Sequence, residues 1–372
     1  IAATNWTFTT DNIFYYWGSG HNTRGQLAIN DVVNRSSPVQ IAATKWDAIS
    51  SSDVGALGVQ SNGTLWGWGS NAYGALGQNS IIPDNVGLSS PVQIPGTTWS
   101  KNITRAVYYN SFAVKTDGTL WAMGYGINGN LGLNDRTSYS SPVQVGSDTN
   151  WATGKEQSGG GYVNHCIKTD GTLWTWGTDG EYGTFGNSSL GKYSSPTQVP
   201  GTTWSTVVTS YYQAGALKTD GTLWVWGQNY KGGLGQNDTN KRSSPIQIPG
   251  TWSSATTLRW GNSYAATNTN GELWAWGENV NGELGQNDKT DRSSPVQIPG
   301  TTWSKVKNAG ESFVATKTDG TLWSWGENAP SGTLGHNQGP GQLPATSSPT
   351  QIPGTTWQVV LDSHAGLLAG KV

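Results

Sequence analysis

The chain has 372 residues, including 52 Gly, 16 Pro and one Cys, and a formal net charge of −2. Charged residues make up only 12%, against roughly 25% in an average soluble domain. Nucleic acid, which wants a basic face, is therefore not an expected partner, and no apolar run of roughly 18 residues is present to insert into a membrane. Cys166 stands alone, so neither an intrachain disulfide nor a thiolate metal cluster is available, and it reads as a small buried hydrophobe.

Taken in order, the chain repeats itself. Residues 1–5 and Trp6 echo residues 41–45 and Trp46, and Thr9-Thr10-Asp11-Asn12 leads into Phe14, Tyr15 and Trp17-Gly18. The same grammar returns as Gln60-Ser61-Asn62-Gly63 with Trp66 and Trp68, and as Lys115-Thr116-Asp117-Gly118 with Trp121 and Met123. Further copies turn at Asp170-Gly171, Asp220-Gly221, Asn270-Gly271 and Asp319-Gly320, and reach Trp176, Trp226, Trp276 and Trp325. The large residue before each Trp-Gly glycine thus recurs every 49 to 55 residues. A fixed period of this length signals a propeller or solenoid, so one domain over 1–372 is expected.

Each period carries four short strands. Asp-Gly between alternating runs predicts a two-residue type I′ hairpin with positive φ at both centres. A Gly- and Asn-rich loop follows, as at residues 227–238, with Leu234 plugging inward. Pro38, Pro91, Pro142, Pro196, Pro245, Pro295 and Pro349 each open the next strand, at a sheet edge where a missing N–H is tolerated. A strand from Trp46, Trp99, Trp151, Trp204, Trp252, Trp303 or Trp357 then leads back to the hairpin. No stretch holds a helical period. The expected fold is all-β: a seven-bladed β-propeller of four-stranded antiparallel blades, with N- and C-terminal strands sharing one blade. That sharing hides sheet edges. Donation of these strands to a neighbouring molecule, building a filament or homo-oligomer, is the rival expectation.

These residues resemble the regulator of chromosome condensation repeat family, whose blades combine a Pro-Val-Gln strand, a turn at Asp-Gly and a strand ending in Trp-Gly. The resemblance implies the seven-bladed propeller. For function it implies a range: exchange on a small GTPase, ubiquitin-ligase modules, or secreted bacterial inhibitors of β-lactamases. The family's eukaryotic pattern has a histidine seven residues before the turn Asp; here those positions hold Gly55, Asn110, Val163, Gln213, Ser263 and Ser312, and only His364 matches. The departure reads as a divergent, bacterial or phage-like member and ranks exchange activity last.

No catalytic, metal or cofactor site emerges. His21, His165, His336 and His364 lie in different units without ligand spacing. The Asn-Asp loops at residues 134–135, 237–238 and 287–288 lack the glycine and closing Glu of a calcium loop and read as turn formers. The loops before the first hairpin strand vary most and should gather on one face. Tyr108, Tyr109, Asn110, Glu156, Gln157, Tyr211, Tyr212, Gln213, Arg259, Trp260, Asn262 and Glu311 are therefore the candidate binding residues, of types common at interaction hot spots. A Thr-, Ser- and Asn-rich surface and a start at Ile1 point outside the cytoplasm. The expectation is a non-enzymatic, extracellular or surface-displayed protein, structural or adhesive in a phage particle or cell surface, with a protein or glycan partner; a glycan-binding lectin is the alternative.

Overall fold

The computed structural model describes residues 16–41, 46–51, 54–83, 86–106, 110–151, 158–160, 163–258, 262–328, 334–336, 344–354, 357–360 and 368–371. They contain strands and turns and no helix. The strands form seven antiparallel sheets of four. Six sheets are consecutive in sequence, for example Trp204–Thr209, Gln213–Lys218, Leu223–Gly227 and Arg242–Ile248. The remaining one, here sheet one, takes its first two strands from Trp357–Val360 and Leu368–Lys371 and its last two from Trp17–Gly20 and Arg35–Gln40. The ends meet where Trp17 pairs with Ala369 and Gly18 with Leu368. Of the expected first hairpin strand at residues 365–369, the described part lies in the strand Leu368–Lys371, and residues 365–367 and the Asp11-Asn12 turn lie outside the described residues.

First strands of neighbouring sheets touch one another, and second strands lean on the next sheet's first strand. Tryptophan fills the space between. Trp303 meets Trp323 and Trp325 at ring distances of 6.1 and 6.2 Å, and the same trio recurs at Trp204, Trp224 and Trp226. Each buried indole contributes about 2 to 3 kcal/mol of apolar burial. The plug residues Leu27, Leu76, Leu131, Phe185, Leu234, Leu284 and Leu334 are all buried.

Three recurring contacts tie each sheet to the next. The indole N–H groups of Trp68, Trp176, Trp226, Trp276 and Trp325 donate to carbonyls of Gln26, Asn130, Thr184, Gly233 and Glu283 at 2.8 to 2.9 Å. Met123 fills this position in sheet three and has no N–H to give. Second, Asn30, Asn79, Asn134, Ser188, Asn237 and Asn287 adopt φ between 53° and 65°. Their N–H groups donate at 2.7 to 3.0 Å to Ser89, Ser140, Ser194, Ser243, Ser293 and Ser347 of the following sheet. Third, Gly129, Gly183, Gly232 and Gly282 touch those same serine segments so closely that a Cβ would collide. The Ser-Ser of each Ser-Ser-Pro is thus a docking strip for the preceding sheet.

Two local expectations are corrected. The Asp-Gly hairpin is a three-residue loop: Gly118 N–H reaches the Lys115 carbonyl at 2.9 Å and Gly118 takes φ 81°, while Asp117 is absent from the positive-φ residues. Asp stays right-handed because its carboxylate is engaged, accepting the Thr119 N–H at 3.0 Å and the Thr119 hydroxyl at 2.7 Å. That hydroxyl in turn accepts the Trp121 indole N–H at 2.8 Å. Proline lies inside the fourth strand, not at its start, as in Arg292–Ile298. It falls in a bulge between the pairs Ala275–Val296 and Gly277–Arg292, where no ladder N–H is needed.

Thr98, Thr203 and Thr302 sit at φ 68° to 70°, an outlier conformation for β-branched residues. Each carbonyl holds the next hairpin, Thr302 accepting from Thr318 N–H at 2.9 Å. Asn150 supplies the equivalent carbonyl to Thr169 at 2.8 Å. Thr302→Asn is expected to raise stability by about 1 kcal/mol by relieving this strain; an unchanged or lower melting temperature in calorimetry contradicts it.

Candidate functional site

Strand direction sorts the loops. The Asp-Gly turns and the links between sheets lie on one face. The loops joining first to second strands, and those joining third to fourth, lie on the other. The described candidates Asn110, Tyr211, Tyr212, Gln213, Asn262 and Glu311 belong to this second face or to strand positions next to it.

The two loop types are locked together within each sheet. Ser70, Gln228, Glu278 and Glu327 donate their N–H groups to the carbonyls of Val54, Tyr212, Asn262 and Glu311 at 2.6 to 3.2 Å. This close approach explains the Trp-Gly motif. Gly69, Gly227, Gly277 and Gly326 have φ between 95° and 108°, and a Cβ on any of them would press into the facing loop backbone.

Five of the seven long loops are held from beneath by a buried amide, that of Asn22, Asn71, Asn229, Asn279 or Asn328. Asn229 donates to the carbonyls of Asp238 and Asn240 at 3.0 and 3.1 Å and accepts Leu234 N–H at 2.9 Å. Asn279 repeats the device with Asp288, Thr290 and Leu284. The Asp carboxylates of these loops pair with Arg242 at 2.6 Å and Arg292 at 2.7 Å, and Asp31 pairs with Arg35. In sheet three the phenol of Tyr139 takes the arginine's role on Asp135 at 2.9 Å. Their oxygens are therefore committed to turn formation. In sheet four Asp179 replaces the amide, receiving N–H groups of Gly183 at 2.8 Å and Thr184 at 2.5 Å. Burial pushes its carboxyl above the usual range, against those hydrogen bonds. Burial likewise raises Glu283.

Among the described residues, every exposed large apolar side chain lies in these third-to-fourth loops: Val32, Val33, Tyr73, Ile81, Val86, Ile127, Tyr182, Leu190, Tyr230 and Val280. Tyr230 is 66% exposed and Ile127 55%. Tyr182 meets Tyr212 of the next sheet at 4.6 Å between rings, with Tyr211 a further 6.0 Å from Tyr212. Tyr73 and Tyr125 form a second pair across sheets at 5.4 Å. The opposite face carries none of these residues.

Of the sequence candidates, Tyr211, Tyr212, Asn262 and Glu311 lie on this face, half-buried. Asn110 and Gln213 are buried instead, and the Gln213 amide donates to the Gln228 carbonyl at 2.6 Å. Gln213 braces the loops, and neither residue presents anything outward. Tyr108, Tyr109, Glu156, Gln157, Arg259 and Trp260 lie outside the described residues. Sequence reasoning missed Tyr73, Ile127, Tyr182, Tyr230 and Val280, although each is an apolar residue in a loop otherwise built of Gly, Asn and Asp. His165 is buried against Trp226 at 5.7 Å, and burial depresses its pKa to about 3. Cys166 is fully buried, and burial raises its thiol pKa.

The family model described as regulator of chromosome condensation (RCC1) repeat matches residues 62–107, 220–258 and 270–314. The chain is 29% identical over 187 residues to the ultraviolet-B receptor UVR8 of Arabidopsis thaliana, covering 47% of this chain and 39% of that one. It is 26% identical over 162 residues to the mitochondrial RCC1 domain-containing protein RUG3 of the same plant, covering 43% and 34%. These matches span well under half the length of either relative. Prp20p of Saccharomyces cerevisiae, a protein described by its binding to Gsp1p and histones, superposes with a TM-score of 0.81 over 97% of this chain and 92% of its own, at 16% identity. At that identity the likeness is one of fold. The expectation of an extracellular, secreted or virion-borne structural or adhesive protein is overturned: the curated relatives it matches are an ultraviolet-B receptor and a mitochondrial protein. The partners recorded for Prp20p are proteins, not glycans.

Proposed function

The chain belongs to the regulator of chromosome condensation (RCC1) repeat family, and on that premise we propose that it is a protein-binding propeller that works without turnover. Its seven sheets read as one closed seven-bladed domain spanning the chain, with sheet one assembled from both ends. That arrangement uses the terminal strands within one molecule and argues against donation to a neighbour. The binding surface is the face of the locked loops. The observation that carries this is the confinement to that face of all ten exposed large apolar side chains among the described residues. Apolar clusters rimmed by polar groups mark interaction sites, and tyrosines offer large rigid contacts at low entropic cost. The partner is a protein, as for the family neighbour whose recorded partners are Gsp1p and histones.

Exchanging Tyr182→Glu together with Tyr230→Glu tests the reading by quantitative affinity capture from extracts of the source cells. Captured protein partners should fall at least about tenfold, the scale of losing one hot-spot contact, with the melting temperature unchanged. Asp220→Asn on the opposite face should leave capture intact. Undiminished capture by the tyrosine variant overturns the assignment.

A further inference from the structure

The binding face is not uniform around the ring. Four sheets lock the last residue of one loop against the first residue of the other by the same backbone hydrogen bond, so these paired positions present side chains from equivalent places. The pairs read Val54 with Ser70, Tyr212 with Gln228, Asn262 with Glu278, and Glu311 with Glu327. Val54 and Ser70 are buried, and the other three pairs, half-buried, pass from aromatic to acidic around the ring. Glu278 is held toward its partner position by the Asn262 amide at 2.8 Å. Asp291 toward sheet five is already paired with Lys231 at 3.2 Å, so the acidic side is carried by the glutamates. Apolar residues adjoin on both flanks, Tyr230 in sheet five and Val280 in sheet six, each at least half exposed.

Resting on the protein-binding role proposed above, we infer that the docked partner sets an apolar contact over Tyr182, Tyr212 and Tyr230 and a lysine- or arginine-bearing segment over Glu278, Glu311 and Glu327. Complementary charge beside a desolvated apolar contact fixes which way round a partner sits. The Glu278 carboxylate, already held by the Asn262 amide, loses less side-chain freedom when it engages such a segment. The tyrosines supply contact area, and the three glutamates supply orientation and discrimination against acidic partners.

Two probes separate these contributions: a twelve-residue peptide of alternating Arg and Leu, and the same peptide with citrulline for Arg, which keeps the shape and loses the charge. Affinity is read by fluorescence anisotropy at low and high salt. The pair Glu278→Gln with Glu327→Gln should weaken the arginine peptide about tenfold at low salt, less at high salt, and leave the citrulline peptide unchanged. The pair Tyr182→Ala with Tyr230→Ala should weaken both peptides at either salt. Asp117→Asn with Asp170→Asn, on the opposite face, should change neither. An arginine peptide that shows no saturable binding, binds no tighter than its citrulline form, or is insensitive to the Gln pair overturns the basic-segment assignment. If the tyrosine pair still weakens both peptides in that case, only this inference fails; if it weakens neither, the face assignment fails with it.

Discussion

A chain stopped after residue 366 should not fold cooperatively. The strand Leu368–Lys371 lies between Trp357–Val360 and Trp17–Gly20, so removing it strips one neighbour of its only partner and leaves the other as an edge. Trp357, buried in one cluster with Tyr16, Trp46 and Ile352, would lose the strand that covers it. Sheets seven and two would then face a gap. The lost indole and aliphatic burial and ladder bonds amount to about 5 kcal/mol or more, the scale of a whole domain's net stability. Far-ultraviolet circular dichroism and calorimetry of the truncated chain read the effect. A transition within a few degrees of the full chain would show that ring closure contributes little.

His165→Phe should flatten the acid limb of the stability curve. In the folded chain the His165 pKa is lowered by burial to about 3, against about 6.5 when unfolded. Between those values the unfolded chain binds the proton and the folded chain does not, so stability falls as pH drops from 6.5 toward 3 and is fully present above that window. The slope is up to about 1.4 kcal/mol per pH unit, and the total on the order of 5 kcal/mol. Phe112 holds the equivalent strand position in sheet three and meets Trp176 edge-on at 5.5 Å, much as His165 meets Trp226 at 5.7 Å. The substitution therefore fits the site. His21 and His336 are lowered too, chiefly by burial, and raised carboxyls such as Asp179 act with the opposite sign. Subtracting the variant's denaturation curve from the parent's at pH 4 to 7 isolates His165; parallel curves would refute the assignment.

Four-stranded units, their plug leucines and the split first sheet were legible in the sequence because a period repeated many times averages out local ambiguity. What failed were details decided by side-chain capture within a turn or by neighbouring sheets. Asp117 was read as a left-handed turn residue, yet the Thr119 hydroxyl and N–H capture its carboxylate and hold it right-handed. The Asn of the Asn-Asp loops looked like a simple turn former; Asn237 in fact docks on Ser293 of the next sheet at 2.7 Å. Such an interface has no local signature. Among the candidate residues on the variable loops, buried Gln213 was counted and exposed Tyr182 and Tyr230 were not. Variation between copies does not reveal which way a side chain points. Cellular setting was misread because composition reports solubility, and the relatives decided otherwise.

The proline in every fourth strand has a consequence for behaviour at high concentration. These strands form the outer circumference, where seven open edges could recruit a foreign strand into a growing cross-β stack. Pro91, Pro142, Pro196, Pro245, Pro295 and Pro349 each delete a donor within a bulged outer strand, which spoils the template without weakening the inner pairing. Replacing one of them by Val would leave the isolated molecule almost as stable and make the crowded solution prone to amyloid.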